Sequence, residues 1–222
     1  MKNLFRGYYA PTDVELDSIW TNGIIVLDTN ALLNLFRYTQ TTRDEFFAVL
    51  EAVSNKLWIP HQIAFEFQRR RLDVIEDQSK AYHELDKAIE SAKNEVLRAL
   101  KSFRLHPLLD KIAISDLLTR SMATVSSAIG QSRDEYNAQV VAGGENGRVF
   151  EAISTLYTSR VGEAYDQAEL EALYAEGAVR YDSKIPPGYE DKNKPEPERY
   201  GDFLLWKQLL AHAAGLKQPA LF

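Results

Sequence analysis

A run of aliphatic residues that ends in an acid constrains this chain more than any other feature. Residues 24–28 read Ile-Ile-Val-Leu-Asp, and such a run is typical of a strand buried on both faces of a parallel sheet. Thr29 or Asn30 can cap a helix, and apolar residues recur at helical spacing over 31–38. The sequence therefore predicts a strand, a tight turn and a helix, with the carboxylate of Asp28 at the turn.

A second acid follows a second short run. Residues 57–59 form a candidate strand that Pro60 closes, and proline suits the first turn of a helix because its missing N–H would have no partner there. The predicted helix runs from His61 onward and places Ile63 and Glu66 on one face. Glu66 is therefore expected beside the core.

A third acid opens the last predicted helix. Residues 183–199 are too rich in proline and charge for a helix or strand and are predicted as an exposed loop. Asp202 then lies in the first turn of a helix that Gly215 is placed to end. Residues 219–222 resemble the opening of another strand.

The middle of the chain is predicted to be helical. Apolar residues at spacings of three, four and seven indicate one long amphipathic helix over 72–103, a break at His106-Pro107 and a second helix from 108 to 129. An antiparallel hairpin over 72–129, inserted between the acidic segments, is the economical interpretation. The rest of this region is predicted as one loop and two short helices: 143–147, 148–158 and 167–180.

Composition limits the kinds of site that the chain can contain. The 222 residues include no cysteine, which excludes thiolate metal sites, disulfides and cysteine nucleophiles. No apolar run is long enough to cross a bilayer, so no membrane association is expected, and without cysteine a cytoplasmic location is the default expectation. The net charge of −6 argues against nucleic-acid binding by the bulk field, although an enzyme that collects carboxylates around metal ions is itself acidic at its site.

Asp28, Glu66 and Asp202 share one kind of position. In a parallel sheet the carboxyl ends of strands and the starts of the following helices meet in one crevice, and oxygen ligands without cysteine suit Mg²⁺ or Mn²⁺. Each acid alone has a simpler interpretation: a turn residue for Asp28, an ion pair with Arg70 for Glu66, and a helix-dipole partner for Asp202.

Four blocks together resemble a known family. Residues 25–33 are similar to the opening motif of PIN domains, which are metal-dependent nucleases, and residues 58–68, 185–191 and 200–207 resemble the bacterial PIN-like branch with a helical insertion. The resemblance spans nearly the whole chain. It implies a single PIN-like domain over 1–222, with a three-layer α/β fold around a central parallel sheet and an inserted long helical hairpin.

The resemblance also implies a set of site residues. Asp28, Glu66 and Asp202 would be the catalytic ligands of Mg²⁺ or Mn²⁺, and Asn30 would orient Asp28. Asp191 is a possible additional ligand, with a solvated turn as the alternative. Members of this branch usually continue into a further strand that carries another acid, so the last core strand and a fourth acid are expected to be missing. Three explanations are open: a shortened form of a longer protein, a natural short member with a weakened second metal position, or another chain that completes the site.

Basic residues near these acids are candidates for contact with a nucleic-acid backbone. They are Arg69, Arg70, Arg71, Lys192 and Lys194. For the three arginines, an exposed helix face is an equally good explanation.

The function implied is metal-dependent endonucleolytic hydrolysis of phosphodiester bonds. Single-stranded RNA is favoured over DNA as the substrate because it is usual in the family, and such families often act as toxin-like or phage-defence effectors. One alternative is a weak or inactive PIN-like module that binds nucleic acid or a partner protein, and the hairpin offers a surface for a partner or for self-association. A phosphatase of small phosphate esters is a further alternative.

Overall fold

Helices dominate the secondary structure. The computed structural model describes residues 1, 4–102, 109–141 and 145–222. In chain order the helices and strands are α1 (Asp13–Asn22), β1 (Ile24–Ile25), α2 (Thr29–Asn34), α3 (Gln40–Ala52), α4 (His61–Ser102), α5 (Lys111–Val141), α6 (Glu145–Leu156), α7 (Gln167–Asp182), α8 (Gly201–Leu216) and β2 (Ala220–Leu221). Short 3₁₀ turns occupy Arg6–Tyr8, Ser54–Lys56, Tyr189–Asn193 and Glu198–Tyr200.

The prediction of a three-layer α/β fold around a central parallel sheet is wrong. The structure is 75% helical, and in its described part the sheet consists of β1 and β2, two residues each, paired in parallel. The run at 24–28 contributes only two residues to the ladder because Asp28 already caps α2. The run at 57–59 is equally short, since a 3₁₀ turn precedes it and α4 begins just after Pro60.

Isolated parallel bridges nevertheless align these short segments. Ile25 bridges Leu57, and Ile59 bridges Val161. Because Ile25 and Leu57 belong to segments that run in the same direction, α2 and α4 begin on the same side of them. This arrangement brings the start of α2 close to the first turns of α4.

The chain divides into two compact units. The first unit comprises Met1–Arg70 and Ala152–Phe222, and the second unit comprises Arg71–Glu151. The core of the first unit contains fully buried side chains from α2, α4 and α8, including Leu32, Ile63 and Phe203. Burial of these apolar faces fixes α2, the start of α4 and α8 against one another.

In the second unit α4 and α5 contact each other. The hydroxyl of Tyr136 donates to the carbonyl oxygen of Ile75 at 3.2 Å, and Arg133 pairs with Asp86 at 3.6 Å. The contacts run in opposite directions along the two helices. The predicted break at His106-Pro107 lies outside the described residues, as does Phe103, so a hairpin with the bounds 72–129 stays a prediction.

One local prediction is wrong, and two local features were not predicted. The helix α1 was not anticipated, although Thr12 and Glu15 form a capping box at its start. The predicted loop at 143–147 is wrong for its last three residues, because α6 already begins at Glu145; glycine weakens a helix without forbidding it. The predicted loop at 183–199 contains the 3₁₀ turn Tyr189–Asn193 and the start of the next.

In the part of the chain that the structure describes, every helix is too short or too polar to cross a bilayer. This includes the long helices α4 and α5.

Candidate active site

Asp28 stands at the start of α2 as its N-cap. Its Oδ2 atom accepts a hydrogen bond from the backbone N–H of Asn30 at 3.3 Å and another from the side-chain amide of Asn30 at 3.1 Å. Both donors reach the same carboxylate oxygen. The turn that caps the helix therefore also fixes the orientation of the Asp28 carboxylate.

Glu66 has a neutral donor on each of its carboxylate oxygens. The hydroxyl of Thr29, which is 1% exposed, donates to Oε2 at 3.2 Å. The side-chain amide of Gln62 donates to Oε1 at 2.7 Å; residues four apart lie on one face of a helix. Thr29 directly follows Asp28, so the first of these bonds ties Glu66 to the segment that carries Asp28.

Gly201 brings the start of α8 against Glu66. A Cβ atom at residue 201 would lie 2.7 Å from Oε1 of Glu66 and 3.4 Å from the amide nitrogen of Gln62. Glycine permits this approach, whereas a side chain at residue 201 would force the end of the Glu66 side chain to move. Asp202 is the next residue, in the first turn of α8, so the third acid lies beside the second.

Asp191 approaches the same place from a 3₁₀ turn. Gly188, which precedes that turn, has a φ of +85°, and a Cβ atom there would lie 3.1 Å from Cβ of Asp202 and 2.3 Å from the hydroxyl oxygen of Tyr181. Both the left-handed backbone and the close approach require glycine. The turn is thereby packed against Asp202, and Lys194 pairs with Oδ2 of Asp191 at 2.7 Å.

Charge repulsion acts on Asp202. Partial burial raises the pKa of its carboxyl above the ordinary value, and the negative charges of Asp191, Glu66 and Asp28 raise it further, whereas Lys194 lowers it. Asp202 as a whole is an exposed residue, so water screens part of this repulsion. The other three acids named from the sequence therefore all lie close enough to Asp202 to raise its pKa.

Two neighbouring groups respond to the same negative field. The hydrogen bond to Asp191 raises the pKa of the Lys194 ammonium, and the charges of Asp202 and Glu66 act in the same direction. Burial, followed by the charges of Asp202 and Asp191, raises the pKa of the Tyr181 hydroxyl to about 12. The main causes are thus one hydrogen bond for the lysine and burial for the tyrosine, and the nearby negative charges add to both shifts.

The donor chemistry of this cluster fits a hard divalent cation. Carboxylate oxygens are the ligands that Mg²⁺ and Mn²⁺ prefer, and a cation relieves the repulsion at Asp202. In the described residues, however, no three acidic or histidine side chains are arranged closely enough to hold a metal ion as they stand. The acids share an electrostatic environment without forming a closed coordination shell.

The predicted basic residues have different surroundings. Arg69 pairs with Glu198 at 2.7 Å, and in the second unit the guanidinium of Arg71 lies 4.2 Å from the ring centre of Phe150. Arg70 and Lys192 are exposed. Contact of these residues with a nucleic-acid backbone therefore stays a prediction.

Several residues of the site were missed by sequence reasoning. Gln62 and Thr29 hold Glu66, and Gly188 and Gly201 permit the close approaches. Gln62 has a sequence signal, since it precedes Glu66 by one helical turn. The two glycines have none that distinguishes them from ordinary turn glycines.

The comparisons with known proteins give one match. No curated protein and no solved structure matches the chain. The family model described as "PIN like domain" matches residues 24–222, which include every segment of the site described above and confirm the resemblance seen in the sequence. The chain therefore belongs to the PIN-like domain family.

Proposed function

We propose that this protein is a metal-dependent endonuclease that hydrolyses phosphodiester bonds, with Asp28, Glu66 and Asp202 as the ligands of Mg²⁺ or Mn²⁺. Asp191 is proposed as an additional acid of the same site. PIN-like domains are typically nucleases, and membership of that family supports a hydrolase of nucleic acid. Assignment to individual residues depends on the geometry.

The observation that carries the proposal is the convergence of four chain segments. Thr29 bonds to Glu66 beside Asp28, and Gly201 leaves space for Glu66 beside Asp202. Gly188 packs the turn of Asp191 against Asp202. Three independent close contacts thus gather acids that are far apart in sequence, and a protein rarely keeps such repulsion unless a cation or function requires it.

The residues have distinct parts in the proposed reaction. Mg²⁺ or Mn²⁺, when bound, supplies an activated water and stabilises negative charge on phosphate oxygens. Asn30 holds one oxygen of Asp28, and Thr29 and Gln62 hold Glu66 without neutralising its charge. Because acids repel phosphate, a basic group must offset them, and the ammonium of Lys194 is already present at Asp191.

The finer substrate assignment rests on the family. We propose single-stranded RNA rather than DNA, a cytoplasmic site of action and a toxin-like or phage-defence role. Arg70 and Lys192 are exposed and are the proposed contacts to the backbone, together with Lys194. Arg69 would first have to leave Glu198, and Arg71 belongs to the second unit.

Cleavage of generic single-stranded RNA and DNA, with and without Mn²⁺, tests the proposal. We expect Mn²⁺-dependent cutting that EDTA abolishes and that Asp28→Asn reduces by more than about 100-fold. Changing a residue that only orients a metal ligand usually costs about 10- to 100-fold, so a larger loss indicates a ligand. Asp166→Asn is the matched control, because Asp166 also caps a helix, α7. Asparagine caps as well as aspartate, so both variants should keep their stability.

Two outcomes would contradict the proposal. A folded wild-type protein that binds RNA but cuts neither polymer would favour the inactive binding module. Hydrolysis of p-nitrophenyl phosphate without cutting of either polymer would favour the phosphatase.

A further inference from the structure

Two glutamines connect Glu66 to a distant part of α8. The side-chain amide of Gln62 donates to Oε1 of Glu66 at 2.7 Å, and the backbone N–H of Gln62 donates to the side-chain oxygen of Gln208 at 3.0 Å. The amide nitrogen of Gln208 in turn donates to the carbonyl oxygen of Glu163 at 3.2 Å. A continuous series of hydrogen bonds therefore runs from the segment at Glu163 to the carboxylate of Glu66.

The position of Gln208 is costly for a polar side chain. Gln208 is 8% exposed and lies among buried apolar residues of α8 such as Leu204, Leu205 and Leu209. A buried amide destabilises the fold unless both its oxygen and its nitrogen are bonded. Here both are bonded, one to Gln62 and one to Glu163, so the side chain is held in a single orientation.

On α4, Gln208 bonds to a backbone N–H that has no acceptor within its own helix. The first four N–H groups of a helix have no intrahelical acceptor, and α4 begins at His61. The oxygen of Gln208 accepts one of these bonds at Gln62. Capping of α4 is therefore the simplest role for Gln208, and a positioning role requires an effect that capping alone would not produce.

The way Glu66 is held supplies the reason to expect that effect. Gln62 and Thr29 each donate to a different oxygen of the carboxylate, which fixes its plane. Both donors are neutral, so the full negative charge stays available to a cation, whereas an arginine or lysine in either place would neutralise it. Groups that orient metal-binding carboxylates in this way control metal affinity.

We propose that Gln62 and Gln208 are positioning residues that orient the Glu66 carboxylate for a divalent cation, with Gln208 acting through Gln62. This inference rests on the proposed function. It adds to that function a pair of residues, on two helices, that set the metal affinity without touching the metal.

Mn²⁺ titration of the purified full chain, by calorimetry, tests the inference. Methionine matches glutamine in length but donates no hydrogen bond, so Gln62→Met should weaken Mn²⁺ binding about 10- to 100-fold and Gln208→Met about tenfold. Gln40→Met is the control, since Gln40 is exposed at the start of α3, and it should leave Mn²⁺ binding unchanged.

The double variant separates positioning from capping. If Gln208 acts through Gln62, then adding Gln208→Met to Gln62→Met should produce no further loss of Mn²⁺ affinity. The free energy of unfolding should still fall further, because the N–H at Gln62 loses its partner in either background. Gln62 is only partly buried, so its variant keeps the test valid should Gln208→Met fail to fold.

Distinct results would overturn the inference and the proposed function. Singly substituted proteins that lose stability but bind Mn²⁺ as the wild type does would show a purely structural role. Additive losses of affinity in the double variant would show that Gln208 does not act through Gln62. A wild type that takes up no Mn²⁺ would overturn the proposed function, and this inference with it.

Discussion

Both units contain long-range polar contacts, and in the first unit these contacts hold an acid of the candidate site. Part-buried hydrogen bonds there join residues far apart in sequence, as between Thr29 and Glu66 or Gln62 and Gln208. In the second unit Arg133 pairs with Asp86 between α4 and α5, and several exposed ion pairs join residues three or four apart on one helix, such as Lys80 with Glu76 at 2.9 Å. Exposed local pairs contribute only a few tenths of a kcal/mol, whereas buried long-range bonds fix a unique arrangement.

Burial of apolar side chains follows the same division. The first unit contains fully buried residues such as Leu32, Ile63 and Phe203, whereas the buried hydrophobic residues of the second unit's described part are Val74 and Val149. Leu117 on α5 is 61% exposed. Rigid packing therefore surrounds the acids of the first unit, as a site that must hold charges in place requires.

The largest expected difference between the units concerns their cores. Phe203→Ala should lower the free energy of unfolding by about 3–5 kcal/mol, because Phe203 is 0% exposed and its removal leaves a cavity. Leu117→Ala, as the matched change in the second unit, should alter it by no more than about 0.5 kcal/mol. Urea denaturation monitored by circular dichroism measures both. Equal losses would show that the two units depend on buried packing alike.

Glycine-to-alanine changes in the two units should differ less in stability than the core substitutions do, but they should differ clearly in their effect on cleavage. A Cβ at residue 201 would displace Glu66, which lies 2.7 Å away, so Gly201→Ala should reduce cleavage on the order of 100-fold. Its cost in stability should be only about 1 kcal/mol, since the end of a side chain can move. Gly130→Ala in α5 meets nothing closer than Arg133 at 3.8 Å and should stabilise the protein by about 0.5–1 kcal/mol.

Cleavage assays and urea denaturation on both glycine variants complete this test. Unchanged cleavage by Gly201→Ala would mean that Glu66 need not lie where it does. A destabilised Gly130→Ala would mean that α5 is not an ordinary helix at that position.

Local patterns predicted the segments that carry the acids. Pro60 and the spacing after it indicate the helix that presents Glu66, and Asp28 before Thr29 indicates a helix start; α4 and α2 begin there. Both signals act within one helical turn, which is the range over which capping and periodicity operate. The helix on which each of these acids lies could therefore be predicted from the sequence.

Features that depend on residues far away in the sequence could not be predicted from local patterns. The extent of the sheet is set by how many residues neighbouring segments can pair, and β1 pairs for only two although its aliphatic run is longer. Gln208 bonds to a residue 146 positions away, and nothing within a helical turn distinguishes it from a surface glutamine. A side-chain amide can be buried only where the fold supplies hydrogen-bond partners for both its oxygen and its nitrogen, so its burial cannot be inferred without those partners.

The smallest expected effect concerns the charge of Asp202. Burial, followed by the charges of Asp191, Glu66 and Asp28, raises its pKa above the ordinary value of 3.8. The native protein therefore holds this proton more tightly than the unfolded chain. The resulting stability is fully present below pH 3.8 and is lost as the pH rises through the native pKa.

Asp202→Asn cannot ionise and so avoids this loss. In EDTA at pH 7 it should be more stable than the wild type by about 0.5 kcal/mol, a modest gain because the exposed carboxyl is screened by water, and the gain should shrink as the pH falls toward 4. Urea denaturation at several pH values measures it, with Asp116→Asn on the exposed face of α5 as the control for net charge. A gain that does not depend on pH would contradict the repulsion.

The same variant separates a functional acid from a structural one. If a carboxylate stabilises the fold through hydrogen bonds, changing it to an amide lowers the stability of the protein. If it is kept for binding a cation, it destabilises the metal-free protein, and the same change raises the stability. Asp202→Asn should therefore be more stable than the wild type without metal and, with Mn²⁺, should lose cleavage. An acid in the second unit such as Asp116 should show neither change, and if it matched Asp202 in both, the contrast between the two units would disappear.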